Sequence, residues 1–157
     1  MNTERARHYA LNLLSVRMYT ADEVYVRLLN KGADKMVAEK IISELIEKGI
    51  LDDLEYAKCY IHDGAALGGK GGYRIRQELI KKGIAKGIID RAFEESEVSF
   101  ADGILDYARH KFGEDIEVSY KELEKIKNHL VRRGFSWSEI SDCLEELKIR
   151  ASRSEEY

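Results

Sequence analysis

Three glycines, Gly32, Gly83 and Gly134, stand at intervals of 51 residues, each closing a run of apolar and basic residues: Leu28-Leu29-Asn30-Lys31, Leu79-Ile80-Lys81-Lys82 and Leu130-Val131-Arg132-Arg133. A fixed period of this length is the mark of a repeated structural unit. Tyr56-Ala57 and Tyr107-Ala108 recur at the same spacing, whereas Tyr9-Ala10 lies four residues nearer its glycine. The first repeat therefore lacks a stretch that the second fills with the glycine run 64–72. In the third, the slot is Phe112-Gly113-Glu114-Asp115-Ile116-Glu117, which reads as an acidic loop.

Each repeat predicts three helices. A lysine followed by glycine suits a helix end, because glycine accepts positive φ and the cation sits near the negative end of the helix dipole. Starts are marked by Thr3, by the capping box Thr20/Glu23, by Asp34, Asp52/Glu55 and Ser99, and by the boxes Ser119/Glu122 and Ser136/Glu139. Apolar stripes at helical spacing predict the core. They are Tyr9, Leu13 and Val16; Val24 and Leu28; Val37, Ile41, Ile42 and Leu45; Tyr56, Ala57 and Tyr60; Ile75 and Leu79; Ile88, Ile89, Ala92 and Phe93; Ile126 and Leu130; and Ile140, Leu144 and Leu147. Arg74, Glu78 and Lys82 form an i,i+4 row predicted to be exposed. The absence of proline and a charged fraction of 35% agree with water-facing helices.

The expected fold is all-α, three tandem three-helix repeats stacked as a short, elongated and curved solenoid. The repeats are assigned to 1–49, 50–97 and 98–150, followed by a polar tail at 151–157. The glycine run 64–72 reads as a mobile joint, since several glycines together are costly in a helix interior.

Function classes narrow by exclusion. Cys59 and Cys143 fit neither a disulfide framework nor a CxxC pair and read as apolar filler in a reducing compartment. The charged N-terminal stretch and the lack of a long apolar run predict a cytoplasmic protein without a membrane span. His8, His62, His110 and His129 form no ligand-spaced cluster, so no metal is expected. Adjacent acids such as Asp52-Asp53 and Glu94-Glu95 diverge around a helix, and no nucleophile stands at a recognisable motif. No enzyme and no cofactor are expected. Gly64-Ala65-Ala66-Leu67-Gly68-Gly69-Lys70 fits the glycine and lysine positions of a phosphate loop, but Gly71 stands where Ser or Thr is required and no strand precedes it; a linker is the better reading.

Charge is unevenly spread. The net of −3 resolves into −2 over 1–57, +5 over 58–91, −6 over 92–125 and zero over 126–157. The middle is thus the candidate footprint for a polyanion, through Lys70, Arg74, Arg76, Lys81, Lys82 and Lys86, with compensation by acidic neighbours as the competing reading. Helix-Gly-helix at Leu79–Phe93 also allows a helix-turn-helix-like DNA-binding regulator.

Gly49-Ile50-Leu51-Asp52-Asp53, Tyr56-Ala57, Arg74-Ile75-Arg76-Gln77-Glu78-Leu79 and Lys82-Gly83-Ile84 together resemble the RecX recombination regulators. Ala10-Leu11-Asn12-Leu13-Leu14, Arg17, Glu23, Leu28 and Lys31-Gly32 extend the resemblance to the N-terminal part. It implies a monomeric cytoplasmic regulator in DNA repair, recombination and the SOS response. Such a protein binds the RecA filament on single-stranded DNA, with non-specific contact to single- or double-stranded DNA. Seated in the filament's helical groove, it would inhibit ATP hydrolysis, strand exchange and coprotease action. The alternative is the DNA-binding regulator acting without RecA.

Overall fold

The computed structural model describes residues 1–153, and nine helices and two short strands account for most of them. The helices are α1 (Thr3–Val16), α2 (Ala21–Asn30), α3 (Lys35–Glu47), α4 (Asp53–Leu67), α5 (Gly72–Lys81), α6 (Lys86–Ser96), α7 (Ala101–Phe112), α8 (Tyr120–Arg132) and α9 (Trp137–Leu147). Strand β1 (Ile116–Val118) precedes α8 and β2 (Ile149–Ala151) follows α9. The protein is all-α, as its capping signals and apolar spacing predict. Two compact units divide the chain, Met1–Cys59 with Glu78–Glu95 and Tyr60–Gln77 with Ser96–Tyr157.

In the first unit, α1 to α3 bury Ala6, Ala10, Val24, Leu28, Ala38, Ile41 and Leu45 in one cluster. The predicted face of α1 is out of phase. Alanines 6 and 10 point inward, Tyr9 and Leu13 are half-buried and Val16 is 82% exposed. Small side chains allow close helix packing, which a stripe drawn through the larger residues overlooks. Asn2, one position before the predicted Thr3, caps α1 by accepting the Arg5 N–H at 2.9 Å. Thr20 and Glu23 form the predicted capping box, and Asp34 caps α3.

Thr20 does more than cap. Fully buried, its hydroxyl accepts the Glu23 N–H at 3.1 Å and donates to the Lys82 carbonyl at 2.8 Å, fastening the start of α2 to the end of α5. The Ala21 N–H donates to Asp53 Oδ1 at 2.9 Å, fastening the same helix start to α4. Burial pushes the Asp53 carboxyl up, with the bond from Ala21 opposing it.

In the second unit, Ile104, Ala108, Leu123, Ile126, Leu130, Phe135, Ile140, Cys143, Leu144, Leu147 and Ile149 form one core cluster. The segment expected as an acidic loop contains β1, which pairs in parallel with β2 in the register Ile116↔Ile149 to Val118↔Ala151. Three-residue strands leave almost no periodicity to read. Lys148 makes β2 possible by ending α9 in the left-handed region, φ 55°, and β2 then carries Ile149 into the core. Ala151, assigned to the polar tail, belongs to this strand; residues 154–157 of that tail lie outside the described part. Ser99 does not cap α7 in the standard manner, for Phe100 holds the cap position while Ser99 Oγ accepts the Ala101 N–H at 3.2 Å.

The glycine run packs closely against neighbouring segments. Gly64 lies inside α4, where a Cβ would fall 2.6 Å from Ile75 Cδ1, so the missing side chain admits Ile75. Gly68 and Gly69 turn the chain with φ of 72° and 77°. Gly71 donates to the Arg133 carbonyl at 2.8 Å, and its Cα sits so close to Gly134 that a Cβ would overlap that residue's carbonyl group. Close approach to neighbouring backbone and left-handed turns are what these glycines supply.

Candidate functional site

The six basic residues singled out from the sequence fall into two groups of three. Lys70, Arg74 and Arg76 belong to the second unit. The Lys70 ammonium lies 5.5 Å from the Tyr60 ring centroid, a cation–π contact. Arg74 is half-buried because Gly134 packs directly on its backbone, and Arg76 is half-buried as well. Each of these three cations already interacts within the molecule.

Lys81, Lys82 and Lys86 belong to the first unit. Lys82 is half-buried, with Nζ 4.0 Å from Glu23 Oε2 and 5.8 Å from the Tyr56 ring centroid. Its neighbour Gly83, at φ 83°, packs so closely on Asp22 that a Cβ would meet that side chain. The row Arg74, Glu78 and Lys82 is thus half-buried rather than exposed, contrary to the helical-wheel expectation, and Lys82 contributes to fastening α2 to α5. Lys81 and Lys86 are exposed, with no ion pair among the described residues. They are the two predicted cations left available to a partner.

A second set of available cations escaped the sequence reading. On α8, Lys121, Lys125 and Arg132 are exposed and without an ion pair among the described residues. Counting charge in windows hid them, because the boundary between residues 125 and 126 cuts α8 in two and pools Lys121 and Lys125 with the acidic 92–125 segment. Counting along one helix face would have found them.

Beside them, His129 accepts or donates a 2.7 Å hydrogen bond through Nε2 to the Tyr107 hydroxyl, stacks on the Tyr107 ring and meets the edge of Phe112. Burial, and then Lys111, Arg132 and Arg133, hold its pKa below the ordinary histidine value. The Arg133 guanidinium donates to the Gly69 carbonyl and lies 5.3 Å from the Tyr107 ring centroid. Arg133 therefore ties the glycine turn to the end of α8.

The phosphate-loop pattern begins within α4, since Gly64 to Leu67 are helical, so it has no strand to aim it. Among the described residues no group of three potential metal ligands occurs and no helix is long and apolar enough to cross a membrane.

Comparison with known proteins assigns the family. Residues 6–45 match the first three-helix domain of RecX and residues 52–92 match the second. A regulatory protein RecX of Halorhodospira halophila is 30% identical over 138 residues, spanning 88% of this chain and 85% of that protein. The chain belongs to the RecX family. The regulatory protein RecX of Bacillus cytotoxicus is likewise 30% identical over 149 residues, and this chain spans only 54% of its length. In the crystal structure of RecX from Lactobacillus salivarius the same fold recurs with a TM-score of 0.75 at 27% identity, covering 93% of this chain and 96% of that one. The RecX relatives are named as regulatory proteins.

Proposed function

We propose that this protein binds the RecA filament on single-stranded DNA, in its helical groove, and mainly inhibits its ATPase, strand-exchange and coprotease activities. The observation that carries the reading is family membership across nearly the whole chain, with both RecX three-helix domains matched in order. Exposed cations on helical units support the reading, because they suit contact with a large anionic assembly. Three tandem three-helix repeats would multiply such contacts along a regular polymer.

Of the six residues assigned to partner contact, Lys81 and Lys86 are the direct candidates, since Lys70, Arg74, Arg76 and Lys82 are already engaged within the molecule. Exchanging both Lys81 and Lys86 for glutamate is expected to weaken filament binding without changing helix content. The test is co-sedimentation with RecA on single-stranded DNA, run beside DNA alone, together with the RecA ATPase rate. Failure of the wild-type chain to sediment with filaments or to slow the ATPase would reject the reading; binding to DNA alone with no RecA dependence would replace it with the DNA-binding regulator.

A further inference from the structure

We infer that the exposed face of α8 is a binding surface for the sugar-phosphate backbone of a single nucleic-acid strand. Lys121, Lys125, Asn128 and Arg132 are all exposed and follow each other at i, i+4, i+7 and i+11, which places them within about 60° of one another around the helix axis. With a rise of 1.5 Å per residue the row runs roughly 16 Å along the helix. Three cations and a neutral amide face solvent along that length. The acidic residues of α8 flank the row: Glu124, half-buried, pairs with Lys127 at 3.7 Å on one side, and Glu122 is exposed on the other.

The row borders a groove of about 430 Å³ that Lys125, Asn128, His129 and Arg132 line with nitrogen-bearing groups, with Phe112 and Ile126 supplying apolar wall and Glu122 the one carboxylate. Burial, and then the nearby charges of Lys111, Arg132 and Arg133, hold the pKa of His129 in this groove down. Such a surface can neutralise several phosphates in sequence, and phosphate contact demands charge density along a line more than a fixed geometry. An acidic protein segment presents carboxylates at less regular spacing. The choice of nucleic acid over acidic protein also rests on the proposed function, whose partner contains a DNA strand.

The experiment is fluorescence anisotropy of a labelled oligo(dT) titrated with the full chain at several salt concentrations, without RecA. A Lys125→Gln/Arg132→Gln double variant is expected to bind about tenfold more weakly, with the slope of log K against log salt reduced by about 1.4, roughly 0.7 per phosphate lost. A Lys35→Gln/Lys40→Gln variant, carrying the same charge change on exposed positions of α3, is expected to bind like the wild type. Both pairs keep good helix formers, and circular dichroism checks that the fold is retained. Unchanged affinity in the folded α8 variant would overturn the inference, as would a wild-type chain that sediments with RecA filaments yet ignores oligo(dT). Lost filament binding with unchanged oligo(dT) affinity would assign the face to an acidic protein surface instead. If α8 governs oligo(dT) binding while RecA filaments are ignored, the inference stands and the RecA reading falls.

Discussion

The Gly134 carbonyl accepts the Tyr73 N–H at 3.1 Å, and with the Gly71 N–H bonded to the Arg133 carbonyl at 2.8 Å this clamps the start of α5 to the turn between α8 and α9. The equivalent turn glycines share a backbone conformation but not an environment. Gly32, Gly83 and Gly134 have φ of 107°, 83° and 95°; a Cβ would meet nothing within 4 Å at Gly32, the Asp22 side chain at Gly83 and the Arg74 backbone at Gly134. Alanine at Gly32 is expected to cost about 1 kcal/mol, from the left-handed backbone alone. At Gly83 a side chain must also shift. At Gly134 backbone must move, for a total of roughly 3 kcal/mol or more. Urea denaturation of the three variants should rank them Gly32→Ala, Gly83→Ala, Gly134→Ala in rising order of damage.

That difference marks how far the sequence is legible. The 51-residue period, the capping pairs and the stripes through Ile126, Leu130, Ile140 and Leu144 depend on contacts a few residues apart, so helices and third-repeat core are readable directly. Gly71 against Gly134 is a contact between positions 63 residues apart in sequence, and nothing in the local pattern distinguishes a glycine needed for close approach from one in a linker. The two strands were hidden for a related reason, since Ile116 and Ile149 acquire meaning only once paired. At the site, Lys81 and Lys82 look alike in sequence. Only the position of Glu23 and Tyr56 makes Lys82 half-buried and leaves Lys81 available.

Thr20 provides a test of the fastening between α2 and α5. Its hydroxyl serves both Glu23 and Lys82 while fully buried, so Thr20→Val keeps the shape and removes both bonds. The expected loss is about 2 kcal/mol, made up of a lost cap and an unsatisfied carbonyl. Thr20→Ser should retain most of the stability, because the oxygen remains. A larger loss from Thr20→Ser than from Thr20→Val, measured by thermal unfolding, would assign the effect to the methyl group and not to the hydrogen bonds.

Acid should weaken the first unit through Glu44. Arg7 donates to both carboxylate oxygens of Glu44 at 2.9 Å, and these bonds hold the Glu44 pKa below its ordinary value of 4.5. A depressed carboxylate pKa means that the unfolded chain binds the proton more readily. The contribution is therefore fully present above 4.5 and is lost as the pH falls through the lower folded value. Denaturant midpoints measured between pH 6 and pH 3 should fall less steeply in Arg7→Gln than in the wild type. Because both side chains are partly exposed, added salt should narrow the difference.

The two thiols should separate cleanly by reactivity. Burial pushes the Cys143 thiol up to about 11, and its Sγ lies 3.8 Å from the Ile104 carbonyl within the core of the second unit. At pH 8 almost none of it is thiolate, the form that attacks a disulfide reagent. Cys59 is half-exposed near the middle of α4. An aromatic disulfide reagent should therefore label Cys59 first, with Cys143 reacting only as the chain unfolds and its rate following urea concentration. Rapid release of two equivalents from the folded chain would show that the α7–α9 core opens far more readily than the packing around Cys143 implies.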